Sequence, residues 1–244
     1  MNESDKNRIL SLPYPLSVSS VAETSSTNDD LKAMARAGAP DFTLRIAEKQ
    51  TAGKGRKNRS FFSEGGLYMS ILLPFWENFS LVTPVAAVAV AKAIRSLTGE
   101  DALIKWVNDV YVKGKKVCGI LSESVVVGEA RRVVLGIGVN LNTPEGAFPK
   151  EIRDVAGSVK ANRIELATHI LKEFLSRFCT GDAATIKKEY IALSLLPGKE
   201  VLIQKENGCF TATALGFTED LSLSVRYPDG RTEDLIAGDV SLRL

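Results

Sequence analysis

The chain has 244 residues, 45% hydrophobic and 25% charged, with a formal net charge of +2. That is enough apolar material for one or two packed domains and too little excess charge to coat nucleic acid or an anionic membrane, so any basic function is local. Three widely spaced cysteines, Cys118, Cys179 and Cys209, lack C-x-x-C spacing and read as free thiols in a reducing compartment, which excludes a disulfide or zinc framework.

In chain order, the N-terminus has no apolar signal core, so a cytoplasmic protein is expected. Residues 1–20 are polar with two prolines and read as a tail or a first short strand. Thr27 can cap a helix whose first turn, Asn28-Asp29-Asp30, suits the positive end of the helix dipole. Leu31, Met34 and Ala35 then share a face, and Gly38 is placed to stop it. TLRIAE (residues 43–48) and LYMSILL (residues 67–73) read as strands. Between them, QTAGKGRKNR (residues 50–59) interleaves Gly53 and Gly55 with Lys54, Arg56, Lys57 and Arg59. Glycines let backbone N–H groups face a ligand, and the cations add charge, so the loop suits an anion with several oxygens, such as a phosphate chain. A solvated basic loop, or one touching nucleic acid without specificity, has the same composition. The P-loop order is absent, and Asn58 stands where G-x-G-x-x-G needs its third glycine.

Pro84, at the first helical position, opens a helix that is apolar nearly all round and therefore buried; Gly99 ends it. Its apolar run, residues 82–94, is short for a membrane span and contains Lys92, so no membrane partner is expected. Short β segments follow (ALIKWV, VYV, KVCGILSESVVV and RVVLGIGVNLN), with turns at Lys113-Gly114-Lys115 and Gly128-Glu129. Asn162 and Glu165 have capping-box spacing, and Leu166, Ile170, Leu171, Phe174, Leu175 and Phe178 recur at helical period. Asp182 caps a further helix running to about Leu195. After Pro197-Gly198 come only short strands, with turns at Asn207-Gly208 and Pro228-Asp229-Gly230. The fold expected is α+β with a mixed or antiparallel sheet over residues 1–196, followed by a small SH3-like β-barrel over residues 197–244.

His169, the sole histidine, falls in mid-helix and reads as structural, paired with Glu165 one turn back. A histidine-activated nucleophile is thereby excluded, and no metal-ligand spacing occurs. Catalysis, if any, rests on cations, backbone dipoles and positioning. Four stretches can supply these. The first is the glycine–cation loop. The second is Lys105-Trp106-Val107-Asn108-Asp109, whose Asn-Asp pair can hold a ribose, an adenine edge or a divalent metal, or simply close a turn. The third is Lys116, ahead of a strand in which Gly119 admits a close backbone approach, although a lone lysine at a strand start is usually a surface residue. The fourth is VLGIGVNLN, where Gly136 and Gly138 in an apolar strand imply that something packs on the backbone before Asn140 and Asn142.

Together these pieces resemble biotin protein ligase. The resemblance spans residues 23–243 through ETSSTN, AEKQTAGKGRKNRSFFS, GGLYMSILL, KWVNDVYVKGKKVCGILSE, LGIGVNLN and the final GDVSLR. It implies a class II synthetase-type catalytic domain that joins biotin to ATP, giving biotinyl-5′-adenylate and pyrophosphate. Biotin then passes to a lysine of a biotin carboxyl carrier domain of acetyl-CoA carboxylase or a similar enzyme. By motif, Ser26, Thr27, Asn28, Gln50, Gly53, Lys54, Gly55, Arg56, Lys116 and Gly119 would bind biotin. Arg56, Arg59, Phe61, Asn108, Asp109, Lys116, Asn140 and Arg243 would bind ATP or the adenylate, with Phe61 near the adenine. Lys116 and Arg56 would be catalytic. Mg²⁺ would come with ATP, near Asp109, without a site fixed by protein alone. The loop departs from the usual GRGRRGR at Lys54, Lys57 and Asn58, and Val107 replaces the proline of KWPND; lysine keeps charge but loses the planar fork. About 20 residues precede the first motif, so no repressor domain and no DNA partner are expected; a homodimer is compatible with the family. A lipoate–protein ligase shares fold and chemistry, but the GKGR loop with KWVND and GKKVCGIL favours biotin. A non-enzymatic RNA-binding module is disfavoured by the near-neutral charge and by the lack of aromatic interleaving in residues 53–59.

Overall fold

The computed structural model describes residues 1–205, 208–236 and 239–242, with the side chains of Asn58, Asp239, Ser241 and Leu242 excepted. Among the described residues, twelve strands and five α-helices form two sheets with helical cover. The large sheet holds β1 (Ser17–Thr24), β2 (Thr43–Gln50), β3 (Glu64–Pro74), β4 (Leu103–Lys105), β5 (Asp109–Val112), β6 (Lys115–Val127) and β7 (Ala130–Val139) in the order β1-β2-β3-β7-β6-β5-β4. β1 and β2 are parallel and every other neighbour is antiparallel, so the sheet is mixed.

Residues 1–20 differ from expectation. Asn2 and Asp5 form a reciprocal capping box that starts α1 (Glu3–Leu10), which docks through fully buried Ile9 before β1 begins. α2 (Thr27–Arg36) lies on one face of the sheet, where Leu31 and Ala35 meet Leu72, Val125 and Val134. α3 (Val82–Thr98) and α4 (Arg163–Thr180) pack on the other face. α3 starts two residues earlier than expected, because a 3-10 turn (Phe79–Leu81) runs into it; Pro84 is its third residue, still among the N–H groups that lack an intrahelical partner. The segment Phe79–Thr98 is apolar and long enough to cross a bilayer by composition, but it is mostly buried inside the protein, as a core helix is.

Asn162 caps α4 through Ile164 N–H and Glu165 N–H, while Glu165 turns toward Arg8 rather than His169. Asp182 caps α5 (Ala183–Ala192), which ends before Leu195 because residues 193–195 bond back to Ile104 of β4. The second sheet is antiparallel, ordered β11-β10-β9-β8-β12, from β8 (Glu200–Lys205), β9 (Gly208–Phe217), β10 (Leu223–Arg226), β11 (Thr232–Leu235) and β12 (Asp239–Leu242). Trp106 Nε1 donates to Leu221 O at 2.9 Å, and Tyr190 stacks edge-on to Phe217, so the smaller sheet is seated beside the turn after β4. The expected turn residue Asn207 lies outside the described residues.

Candidate active site

Strand side chains alternate between faces, and the α2 face of the large sheet carries the site. Its register aligns Tyr68, Gly138, Gly119 and Asp109 in one row across β3, β7, β6 and β5; Ser70, Gly136 and Leu121 form the next row. Two glycines side by side leave a trough in the first row. The Phe61 ring lies in that trough: a Cβ built on Gly138 would stand 2.5 Å from the ring, and one on Gly119 2.9 Å. In the second row, Asn28 fills the space that Gly136 leaves.

At one end of the trough is a buried polar knot formed by Ser26, Thr27, Asn28 and Ser70. Gln50 Oε1 accepts from the Thr27 N–H at 2.8 Å and from its hydroxyl at 3.1 Å, and Gln50 Nε2 donates to Ser63 Oγ at 3.1 Å. The Ser70 hydroxyl donates to Asn28 Oδ1 at 2.6 Å and lies 2.7 Å from the Thr27 hydroxyl. Asn28 Nδ2 donates to Glu123 Oε2 at 2.7 Å, and Glu123 pairs with Lys32. The expected cap at Thr27 is absent for this reason. Ser26 is the N-cap, without a side-chain bond, and the Thr27 hydroxyl is spent on Gln50. Gly53 comes so near that a Cβ would sit 2.7 Å from Phe61 O and 3.2 Å from Gln50 Nε2. The open space left in this pocket is only about 30 Å³.

At the other end the trough joins a cavity of about 380 Å³, whose lining brings Lys54, Gly55, Arg56, Arg59, Lys105 and Lys116 around the carboxylate of Asp109. Arg56 Nη1 donates to Asn108 Oδ1 at 3.2 Å, and Asn108 Nδ2 donates to Ile120 O at 2.9 Å. Lys116 Nζ lies 2.7 Å from Asp109 Oδ1, a buried oxygen that makes this ion pair without an aligned hydrogen bond. Lys54 is paired with Asp29 at 2.6 Å. Lys105 donates to the Tyr111 hydroxyl at 3.2 Å; burial, with a contribution from Asp109, raises that phenol to about 12. The Trp106–Val107 peptide is cis, and Val107 O accepts from Tyr190 OH at 3.2 Å. The second sheet contributes Gln204 and Val240 to the cavity wall.

A third space, about 120 Å³, is an apolar slot between Phe62, Ile152, Val155 and Ala156, with Asn140 at its rim and Phe61 and Lys116 shared with the trough and cavity. Asn140 Nδ2 donates to Gly157 O at 2.9 Å, while its Oδ1 is buried with no hydrogen-bond partner. Phe62 is anchored on buried Phe148 at 5.2 Å between centroids.

Every expected site residue among those described except Gly53, which packs behind them against Gln50 and Phe61 O, borders one of these three spaces; Arg243 lies outside the described residues. Phe61, expected near an adenine, lies in this structure over Gly119 and Gly138 and reaches the slot as well. His169 is half-buried on α4 and lines none of the three. Among the described residues no group of three His, Cys, Asp or Glu could hold a metal ion. The sequence reading missed Asp29, Ser70, Glu123, Gln204 and Phe62, and it named Lys105 only within its stretch, without a role. Ser70 had a usable signal, a lone small polar side chain inside the apolar run of β3, whereas Gln204 joins the cavity only through tertiary packing.

The biotin/lipoate A/B protein ligase family profile matches residues 20–140. The bifunctional ligase/repressor BirA of Bacillus subtilis is 34% identical over 234 residues, covering 89% of this chain and 71% of that protein. The biotin–[acetyl-CoA-carboxylase] ligase of Mycobacterium tuberculosis is 31% identical over 238 residues, covering 90% and 86%. Among solved structures, the biotin protein ligase of Aquifex aeolicus in complex with biotin and ATP superimposes with a TM-score of 0.80 at 29% identity, over 94% of this chain and 99% of that one.

Proposed function

The chain belongs to the biotin/lipoate A/B protein ligase family, and we propose that its glycine trough, cation-lined cavity and apolar slot are the seats of biotin, the phosphates and the adenine of one adenylation site. The enzyme is an ATP-dependent biotin ligase: it activates biotin as biotinyl-5′-adenylate and transfers it to a carboxylase. The observation that carries the residue assignment is the row Tyr68–Gly138–Gly119–Asp109. It runs from a polar knot, through a side-chain-free floor, to the Lys116 ammonium.

On this reading the ureido ring of biotin meets Ser26, Thr27, Asn28 and Gln50, and its chain crosses the two glycines. Its carboxylate ends near Lys116 and Arg56. Biotin supplies its own nucleophile, because a carboxylate is ionised at neutral pH. That oxygen attacks the α-phosphorus and the bond to the pyrophosphate oxygen breaks. The obstacle is repulsion between anions, and Lys116, Arg56 and Arg59 oppose it. A well-placed donor of this kind is worth about 3–4 kcal/mol in the transition state. Asn140 supports the adenine seat: it lines the apolar slot, and its buried Oδ1 is an acceptor without a partner that calls for a donor such as an exocyclic amine. In the second step the carrier lysine attacks the mixed-anhydride carbonyl, AMP leaves, and the ammonium proton goes to Asp109 or to solvent.

The residues fit Mg²⁺ delivered with ATP: Asp109 offers one carboxylate to the cavity, and such ions are held by one or two carboxylates plus phosphates. The ion would neutralise phosphate charge there. The carrier is best read as the biotin carboxyl carrier domain of the carboxylase, and the three free thiols fit a reducing, cytoplasmic location. Among the described residues β1 pairs with β2 alone and offers its other edge to a second copy, whereas β4 is covered by residues 193–195. The division at residues 196/197 into a catalytic domain and a barrel is supported by the separate sheets.

Calorimetric titration of biotin, with lipoate as control, tests the site. Binding of biotin that is lost in Lys116→Ala supports it. Unchanged biotin affinity in Lys116→Ala and Gly138→Ala together would refute it.

A further inference from the structure

We propose that the Phe61 ring is a removable plug in the biotin seat, so that biotin enters only after the ring has left. This inference rests on the biotin assignment of the trough. The ring lies across Gly138 and Gly119, the two positions in the row where a side chain is missing. What remains of the pocket is about 30 Å³, against about 380 Å³ in the adjoining cavity. A fused bicyclic ring with a four-carbon chain has no room while the plug is in.

The plug is built to move. Phe61 and Phe62 are both partly buried, but it is Phe62 that is anchored on Phe148. Besides interactions made by Lys57 and Arg59, the loop that carries Phe61 is held by Phe61 N–H to Gly53 O at 2.8 Å, Gly55 N–H to Arg59 O at 2.7 Å, Arg56 to Asn108 at 3.2 Å and the half-exposed Lys54–Asp29 pair. Each is a single bond, and the ion pair is of the solvent-screened kind. The place to which the ring can move is adjacent, because Phe61 already lines the apolar slot beside Ile152 and Val155. Leaving the trough therefore does not force the ring into water. Plug and biotin compete for the same glycine floor, and the affinity measured for biotin is the intrinsic one reduced by the fraction of molecules with the trough open.

The test is stopped-flow and calorimetric binding of biotin, without ATP, to the intact chain and to Phe61→Ala, Phe61→Leu and Asp29→Asn. In the parent protein the observed rate levels off at high biotin, at the rate of ring departure. Phe61→Ala binds at least about tenfold faster, without the plateau, and more tightly. Phe61→Leu falls between. Asp29→Asn, which frees Lys54 and leaves the trough untouched, accelerates binding less than about fivefold. Weaker binding to Phe61→Ala with an unchanged association rate would make the ring a wall of the site and overturn the plug. Absence of biotin binding in all four folded proteins would instead remove the premise, the biotin assignment itself.

Discussion

Arg56 donates Nη1–H to Asn108 Oδ1 at 3.2 Å, tying the glycine–cation loop to the turn after β4 across the mouth of the cavity. Neither residue depends on the other for its place in the chain, so the bond marks where the loop closes on the phosphate seat. Arg56→Ala is expected to slow adenylate formation by about 10²–10³-fold, the usual loss for one electrostatic donor. Arg56→Lys should recover part of it, as charge is kept and the fork is lost. Single-turnover pyrophosphate release measures both; equal rates in all three proteins would detach Arg56 from the chemistry.

Gly138→Ala adds one methyl to the trough. Its φ is not in the left-handed region, so the backbone accepts alanine, and the nearest obstacle is the Phe61 ring. The fold should survive while biotin affinity drops about 10–100-fold, the range for overpacking a tight site. Calorimetry with a parallel melting curve separates the two effects.

Ser70→Ala removes the hydroxyl that joins Thr27 and Asn28 to the sheet. A buried acceptor, Asn28 Oδ1, loses its donor, at a cost of about 1–3 kcal/mol. In a chain of this size that lowers Tm by roughly 2–4 °C per kcal/mol. A Tm unchanged within error would mean the knot contributes nothing to stability.

Much of this site was legible before folding. The glycines of β6 and β7 and the Lys116, Asn108 and Asp109 group stand out because glycine and clustered polar residues are costly in apolar strands. What could not be read was which atoms they would meet. Gly119 and Gly138 lie 19 residues apart in sequence and become neighbours only through the β6–β7 register. Phe61 and Phe62 are adjacent aromatics with no local signal to say which one anchors on Phe148 and which lies in the trough. The first helix was missed because its stabilising device is a capping box at the second residue, in a stretch with one buried apolar side chain, Ile9. Thr27 was read as a cap on local grammar, but Gln50, 23 residues on, claims its hydroxyl.

Away from the site, Glu189 joins α5 to α3 and α4 through Arg177 and Lys92. The Arg177 hydrogen bonds, with help from Lys92, hold its carboxyl down at about 2. A lowered folded pKa means that this stabilisation is complete above the ordinary glutamate pKa of 4.5 and is lost as pH falls through about 2. Glu189→Gln should destabilise by about 1–2 kcal/mol at pH 7. The difference from the parent should shrink between pH 4.5 and 2. Denaturant melts across that window measure it, and a pH-independent difference would contradict the assignment.

The most direct test of the central claim is biotin-dependent exchange of labelled pyrophosphate into ATP, followed by mass measurement of a biotin carboxyl carrier domain. The account predicts exchange with biotin, none with lipoate, and one biotin added to a carrier lysine only when ATP and the enzyme are both present. Exchange supported by lipoate and not by biotin, or no exchange with either acid, would contradict it.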